Sequence, residues 1–402
     1  MSPLNLLTSR RKRAVVASAV GATVLLATAA CSDTDTSASG DTIKVGVSIP
    51  ASGPGVATCA PILHGAQAWI DKTNAEGGVD GKEIEILTED DKYTAAEALA
   101  NARQFTADPE VVAIYNACGS APGAAIQSFA KQQDMPFVFS WVDLPGEETS
   151  KNFYTLVPGN GAMVSAIATK AMEESGAGSL YLMAYELPGI DEAIDQIETA
   201  VKAAGGTFLG STTMTLNQAD MNGEVLKVKS IKPDYIATIV NGTDSAKLIN
   251  TIDAQGAWPA KAMLTSTSTS TAAFVGAVDE AVSLDKVIAT SGPAPASDAS
   301  TKSCIEAFES YDGDYKIVPD SLALTGCTNA QALVASLQSV EGDVTRESYL
   351  EALATWSSED AVPSLGPLSF AEDNHIGVEK VYGVRFEGRD MVAAFEAPLI
   401  ED

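Results

Sequence analysis

Histidine is almost missing from this chain. Its 402 residues include two, His64 and His375, far apart in sequence, and no CxxC pair. A zinc site of ordinary Cys/His spacing is thereby excluded, and neither a metal nor a cofactor is expected. Basic residues are scarce as well: 25 Lys and Arg stand against 53 Asp and Glu, a net charge of −28. Proteins that neutralise phosphates need the opposite balance, so nucleic acid is not expected as a partner. The apolar run AVVASAVGATVLLATAA, residues 14–30, has 17 residues, short of the ~20 that a spanning helix takes.

That run is laid out as an export signal. Arg10, Arg11, Lys12 and Arg13 precede it and small residues close it, the order of a positive n-region, an apolar h-region and a cleavage site. The Arg10-Arg11 pair admits twin-arginine export, although Lys12-Arg13 interrupts the apolar consensus that should follow. Ala29-Ala30-Cys31, then Ser32-Asp33, resembles a bacterial lipobox with Thr28 in place of the usual Leu. In that reading residues 1–30 are removed and Cys31 is lipidated; simple secretion after Ala30 is the alternative. Each buried acyl CH₂ contributes about 0.8 kcal/mol, so two chains anchor stably to the cell membrane. Residues 31–41 then form a lipidated, flexible tether, since SDTDTSASGD holds no hydrophobe larger than Ala. Loss of the signal leaves 21 of the 25 basic residues against 53 acidic ones, a net charge near −32. A soluble extracytoplasmic monomer is expected.

From Thr42 onward strands alternate with helices. IKVGVS (43–48), EIEILTED (83–90), VVAIYNAC (111–118) and PFVFSWV (136–142) read as strands, separated by helical stretches over 60–75, 95–108 and 121–132. Such alternation predicts βαβ units and a parallel sheet. Near NFYTLVPGN (152–160) the pattern restarts with SLYLMAYE, TFLGSTTM, DYIATIV and AMLTSTS as strands between helices. After residue 284, VIATSGP reads as a strand leading back, followed by helices over 302–312, 328–340 and 345–355 and a late β segment in GPLSF, VYGVRF and MVAAFE. The fold class is α/β, with two doubly wound parallel-sheet lobes and a cleft bounded by hinge crossings.

At this point IKVGVSIPASGPG, HGAQAWIDKTNAEGGVDGKEIEILTEDD, NARQF with VVAIYNACGSAPG, and SLGPLSFAEDNH resemble the substrate-binding proteins of ABC importers for branched-chain amino acids and related solutes, the type I periplasmic-binding-protein fold. The resemblance spans roughly residues 43–397. It implies two lobes joined by three crossings: residues 42–157 with 287–363, and 158–286 with 364–402. It also implies a small-molecule solute held between them, hinge closure, and a membrane permease with its ATPases as partners. The function expected is delivery of a small polar solute, a branched-chain amino acid, an amide or a related compound. A ligand-sensing or envelope-regulatory module of the same fold is the alternative.

Ligands of open parallel sheets bind at the carboxyl ends of strands. The candidates are therefore Ser52 and Thr58 after the first strand, Cys118, Gly119 and Ser120 after the third, and Trp141 and Asp143 after the fourth. In the second lobe they are Tyr185, Glu186, Asn241, Thr243 and Thr267. Gly119 and Ser120 open a helix, where free N–H groups and the dipole favour an anion. The family uses that turn for a ligand carboxylate, and Ser120 is the carry-over; the alternative is that Ser120 only caps its helix. Three departures leave the solute open. The family carboxylate near Thr267 is replaced by the hydroxyls of LTSTSTST, the small polar loop after the fourth strand is SWVDLP, and the closing Tyr has only Tyr185 as a candidate. Asp143 or Glu186 remain as partners for a cation, and Trp141 either stacks on the ligand or fills core.

As a nucleophile Cys118 would need a base, and only His64 and His375 exist. Four cysteines remain after Cys31, an even number that favours disulfides in an exported chain. Cys59 and Cys118 each open a helix after a neighbouring strand, and a bridge needs their Cα atoms within about 7 Å. Cys59–Cys118 and Cys304–Cys327 are the expected pairs, and no enzymatic activity is expected. Glu147-Glu148 and Glu173-Glu174 are read as solvated surface, and the N-x-T pattern at Asn241 as a loop.

Overall fold

The computed structural model describes residues 42–186 and 189–399. The expected signal, lipidation site and tether at residues 1–41 lie outside the described residues. The first strands and helices alternate as expected: β1 (Ile43–Ile49), α1 (Val56–Ala75), β2 (Ile84–Asp90), α2 (Ala95–Ala107), β3 (Val111–Tyr115), α3 (Ser120–Ala130), β4 (Phe137–Val138) and β5 (Phe153–Tyr154). The strands form one sheet in the order β2-β1-β3-β4-β5, with every pair parallel. PFVFSWV is only partly strand: β4 ends at Val138, and Trp141 returns to pair with Cys118 as an isolated bridge.

The second series runs α4 (Asn160–Ser175), β6 (Ser179–Tyr185), α5 (Ile190–Ala203), β7 (Thr207–Met214), α6 (Asn222–Ile231), β8 (Tyr235–Ile239), α7 (Gly242–Gln255), β9 (Ala262–Thr265), α8 (Ala272–Ala277) and β10 (Val287–Ser291). Then follow α9 (Lys302–Ser310), α10 (Ser321–Gln338), α11 (Arg346–Leu353), β11 (Ser357–Ser358), β12 (Leu368–Ser369), β13 (Lys380–Glu387) and β14 (Asp390–Pro398). The second sheet has the order β14-β13-β10-β9-β8-β6-β7. Along β6 the side chains alternate between two cores, Tyr181, Met183 and Tyr185 on one face and Leu180, Leu182 and Ala184 on the other. This is the period-two signature of a sheet covered on both sides.

Two stretches depart from the expected division. Val287–Ser291 was assigned to the first lobe, yet β10 pairs with β9 and β13 in the second sheet, because its apolar run extends the parallel order one strand further before the chain crosses. Conversely, Leu365, Leu368, Phe370 and Val378, expected in the second lobe, pack in the core of the first. Helix α10 begins at Ser321, seven residues before the expected 328, because its first turn is capped by the Asp320 carboxylate, which accepts from the Leu322 and Ala323 N–H groups. This helix is buried on nearly every face, as an apolar helix must be. It lies hard against α1: a Cβ on Gly65 would overlap the Ala323 carbonyl, and one on Gly326 the Ile62 carbonyl.

Candidate functional site

The acidic pair at the end of β2 builds the first wall. The Asp90 carboxylate accepts from the Ser52 hydroxyl at 2.7 Å and from the Ala51, Ser52 and Lys92 N–H groups. The Ser52 hydroxyl first, and then the Lys92 N–H, hold its pKa below the ordinary carboxylate value. Asp91 is fully buried, accepts from Ser48 Oγ and the Tyr93 N–H, and has its pKa raised by that burial. Directly after them Lys92 and Tyr93 take left-handed backbone, φ 52° and 61°, a strain of about 1–2 kcal/mol each for non-glycine residues. The turn aims the Tyr93 ring at Gly119, where a Cβ would lie 2.5 Å from it. Gly119 itself has φ 98°, which glycine alone adopts readily. Ser52, expected at the ligand, instead spends its hydroxyl closing this turn.

Behind Tyr93 the first turn of α3 is open. Gly119 donates to the Trp141 carbonyl at 3.1 Å, Trp141 donates to the Ala117 carbonyl at 2.8 Å, and Gly123 donates to Gly119. Pro122 has no N–H, so the Ser120 and Ala121 N–H groups are the free donors of this end, with no acceptor among the described residues. Ser120 does not cap the helix: the cap position is Gly119, and no side chain bonds there. The sulfur of Cys118 is joined to Cys59 with Cα atoms 5.8 Å apart, and Cys304 is joined to Cys327 at 6.0 Å. His64 stacks on Tyr315, while His375 stacks on Tyr154 with Nδ1 at the Ser150 and Phe153 carbonyls. Cys118 thus has neither a free thiol nor a histidine to activate it.

In the second lobe the polar candidates are largely spent on one another. The Tyr185 hydroxyl donates to Asp244 at 2.6 Å and accepts from the Asn241 N–H. Asp244, fully buried, also accepts from the Asn217 N–H and from Lys247. Burial first, then the Asp244 bond, push the Tyr185 pKa well up. Asn241 caps α7 by accepting from Asp244. Glu186 and Thr243 are exposed and Thr58 is half-buried. Asp143 accepts from both the backbone and side-chain N–H groups of Asn160 at the start of α4, and burial raises its pKa. It is therefore engaged by the helix rather than offered to a cation.

Trp141 and Thr267 are the two candidates that line one cavity. Its walls come from two of the chain crossings, Leu156–Pro158 and Gly292-Pro293, and from Leu365 of the first core, together with Met163 from α4 and Thr325, Thr328 and Asn329 from α10. No Asp, Glu, Lys or Arg lines it. The cavity offers about 20 Å³, room for one water. The chain leaving β10 is bonded to the stretch before Leu365, Ala294 N–H to the Ser364 carbonyl at 2.9 Å. Asn329 is fully buried; its Nδ2 donates to Asn116 Oδ1 at 3.1 Å, while its own Oδ1 and the Asn116 Nδ2 are without partners. Sequence reasoning missed Tyr93 and Asn329. The Asp90-Asp91 pair was a signal for the first; Asn329, between Thr328 and Gln331 in TNAQALV, carried no signal of its own.

A profile of the family described as periplasmic binding protein matches residues 42–390. The chain belongs to that family. Among solved structures, this binding protein superposes with a TM-score of 0.73 on the branched-chain amino acid transporter substrate binding protein LivJ of Streptococcus pneumoniae, bound to isoleucine, at 20% identity over 88% of this chain and 99% of that one. It superposes equally, at 0.73, on an ABC-transporter solute binding protein of Rhodopseudomonas palustris in complex with benzoate, at 20% identity over 90% and 98% of the chains. These likenesses establish the type I binding-protein fold. Among curated proteins it is 24% identical to a Leu/Ile/Val-binding protein homolog 7 of Brucella melitensis over 54% of this chain and 57% of that protein. It is 36% identical to a homolog 1 of Brucella abortus over 16% and 18%. The match thus spans less than two thirds of either relative's length.

Proposed function

We propose that this binding protein is an extracytoplasmic, lipid-anchored receptor, a monomer, that hands a small solute to an ABC permease and its ATPases by closing two lobes about three crossings. The lobes would comprise the two sheets with their covering helices. One observation carries the reading: a single cavity is walled by two of the crossings and by residues of both lobes. It lies beside Trp141, which is bonded to the open first turn of α3. A guest there is gripped by both lobes only when they are closed, which couples occupancy to shape. Binding free energy of about −8 kcal/mol, a micromolar complex, is within reach of two hydrogen bonds to a charged group at about 1.5–3 kcal/mol each plus apolar burial against Trp141 and Met163.

The test is thermal unfolding of the mature protein against amino acids, amides, hydroxy acids and aromatic acids. A solute at a hundred times its Kd should add about 2.7 kcal/mol of stability. Trp141→Ala should abolish that gain. A panel in which no solute raises the melting temperature would refute the proposal.

A further inference from the structure

Resting on the solute-binding reading, we infer that the cavity recognises a neutral hydrogen-bond donor on the solute, a hydroxyl or an amide N–H, and discriminates against an ammonium at that position. Asn329 is wholly buried and lines the cavity with an Oδ1 that accepts nothing. The hydroxyls beside it are acceptors too. Thr325 donates its proton to the Ser321 carbonyl at 2.8 Å, and Thr328 donates to the Thr325 carbonyl at 2.9 Å, so each turns only lone pairs outward. Beside these acceptors the Trp141 indole N–H is the side-chain donor of the lining, and the proton for Asn329 Oδ1 is left to the occupant.

What that proton sits on follows from charge. No carboxylate lines the cavity. Three carboxylates elsewhere are engaged: Asp143 by Asn160, Asp244 by Tyr185, Asn217 and Lys247, and Asp320 by the first turn of α10 and the Ala272 N–H. Glu186 is exposed and does not line the cavity. An ammonium would leave water without a counter-charge, whereas a hydroxyl or amide N–H needs only the acceptors present. The solute's anionic or carbonyl end has separate donors, the Ser120 and Ala121 N–H groups and the Tyr93 hydroxyl, which lies 3.1 Å from where a Cβ on Gly119 would sit. The class is a small carboxylate or amide with an apolar body and one neutral donor.

Two matched series on the mature protein test this by calorimetry. The probes are L-leucine, 2-hydroxy-4-methylpentanoate and 4-methylpentanoate, then L-phenylalanine, phenyllactate and 3-phenylpropanoate, with the corresponding neutral amides. In at least one series the hydroxy acid or amide should bind about tenfold more tightly than the amino acid, as expected when a buried polar group is matched rather than left with an unbalanced charge. Asn329→Asp supplies the missing carboxylate without changing shape; the bond from Asn329 Nδ2 to Asn116 Oδ1 is lost, and a turn of the Asn116 amide brings its unpartnered Nδ2 to the new carboxylate as donor. That variant should reverse the preference toward the amino acid, an outcome a merely structural role for Asn329 would not produce. An amino acid that binds wild type as tightly as its hydroxy analogue overturns the inference and leaves solute binding standing. So does an Asn329→Asp variant that weakens every probe equally. If neither these probes nor the wider panel bind, both fall.

Discussion

The Tyr93 ring rests on Gly119, so close that a Cβ at Gly119 would lie 2.5 Å from the ring. The contact joins the strained turn after β2 to the open end of α3, and both residues hold positive φ, 61° and 98°. Gly119→Ala therefore meets two penalties, a left-handed backbone and a collision, and should lower stability by about 1–3 kcal/mol. It should also weaken solute binding, because the free Ser120 N–H follows directly. Adding Tyr93→Ala should remove the collision and recover part of the melting temperature, but not the binding. Thermal unfolding and calorimetry of the single and double variants check this.

The bridge at Cys118 makes a separate prediction. The Cys59–Cys118 loop spans 59 residues and the Cys304–Cys327 loop 23, worth about 4 and 3 kcal/mol respectively in the chain-entropy model. The native mature protein should show no thiol at Cys59, Cys118, Cys304 or Cys327 until it is reduced. Removing either pair by double Cys→Ala substitution should lower the denaturant midpoint, with the larger loss for Cys59 and Cys118. A thiol reagent that labels Cys118 without reduction would contradict the structure.

Tyr185→Phe deletes one donor from a carboxylate that is fully buried. Asp244 keeps Asn217 and Lys247 as partners, so the loss should be near the ~1.5–3 kcal/mol of a hydrogen bond to a charged group. Asp244→Asn should cost less in the Tyr185→Phe background than in wild type, a coupling that a double-mutant cycle in urea measures.

His64 sets a pH dependence. It is half-buried against Tyr315, and burial lowers its pKa. The folded chain then binds fewer protons than the unfolded chain just below the ordinary histidine value of about 6.5. Stability from this group is complete above that pH and is lost as pH falls toward the lowered folded value. Urea midpoints between pH 7.5 and 5 should decline in wild type and flatten in His64→Gln.

The architecture was legible in one dimension because it is periodic. Apolar runs of five to eight residues between amphipathic stretches, such as VVAIY before α3 and YIATI before α7, leave only a parallel α/β arrangement. The even cysteine count, the helix-opening positions of Cys59 and Cys118 and the open α3 turn were readable for the same reason: each depends on neighbours in sequence. The short β4 was overextended, because an apolar stretch such as FSWV can bury its side chains without ladder hydrogen bonds.

The division of labour among the polar groups was decided in three dimensions. Ser52, Asp143, Tyr185 and Asn241 occupy the strand ends where ligands bind, and nothing in their spacing revealed that Asp90, Asn160 and Asp244 already satisfy them. Nothing in the sequence marked Asn329: Asn116, 213 residues earlier in the chain, takes its amide N–H and leaves its Oδ1 without a partner, in a residue that lines the cavity. A hydrogen bond satisfies a group wherever its partner lies in space, so residue type reveals which atoms can bind, while only packing determines which remain free to do so.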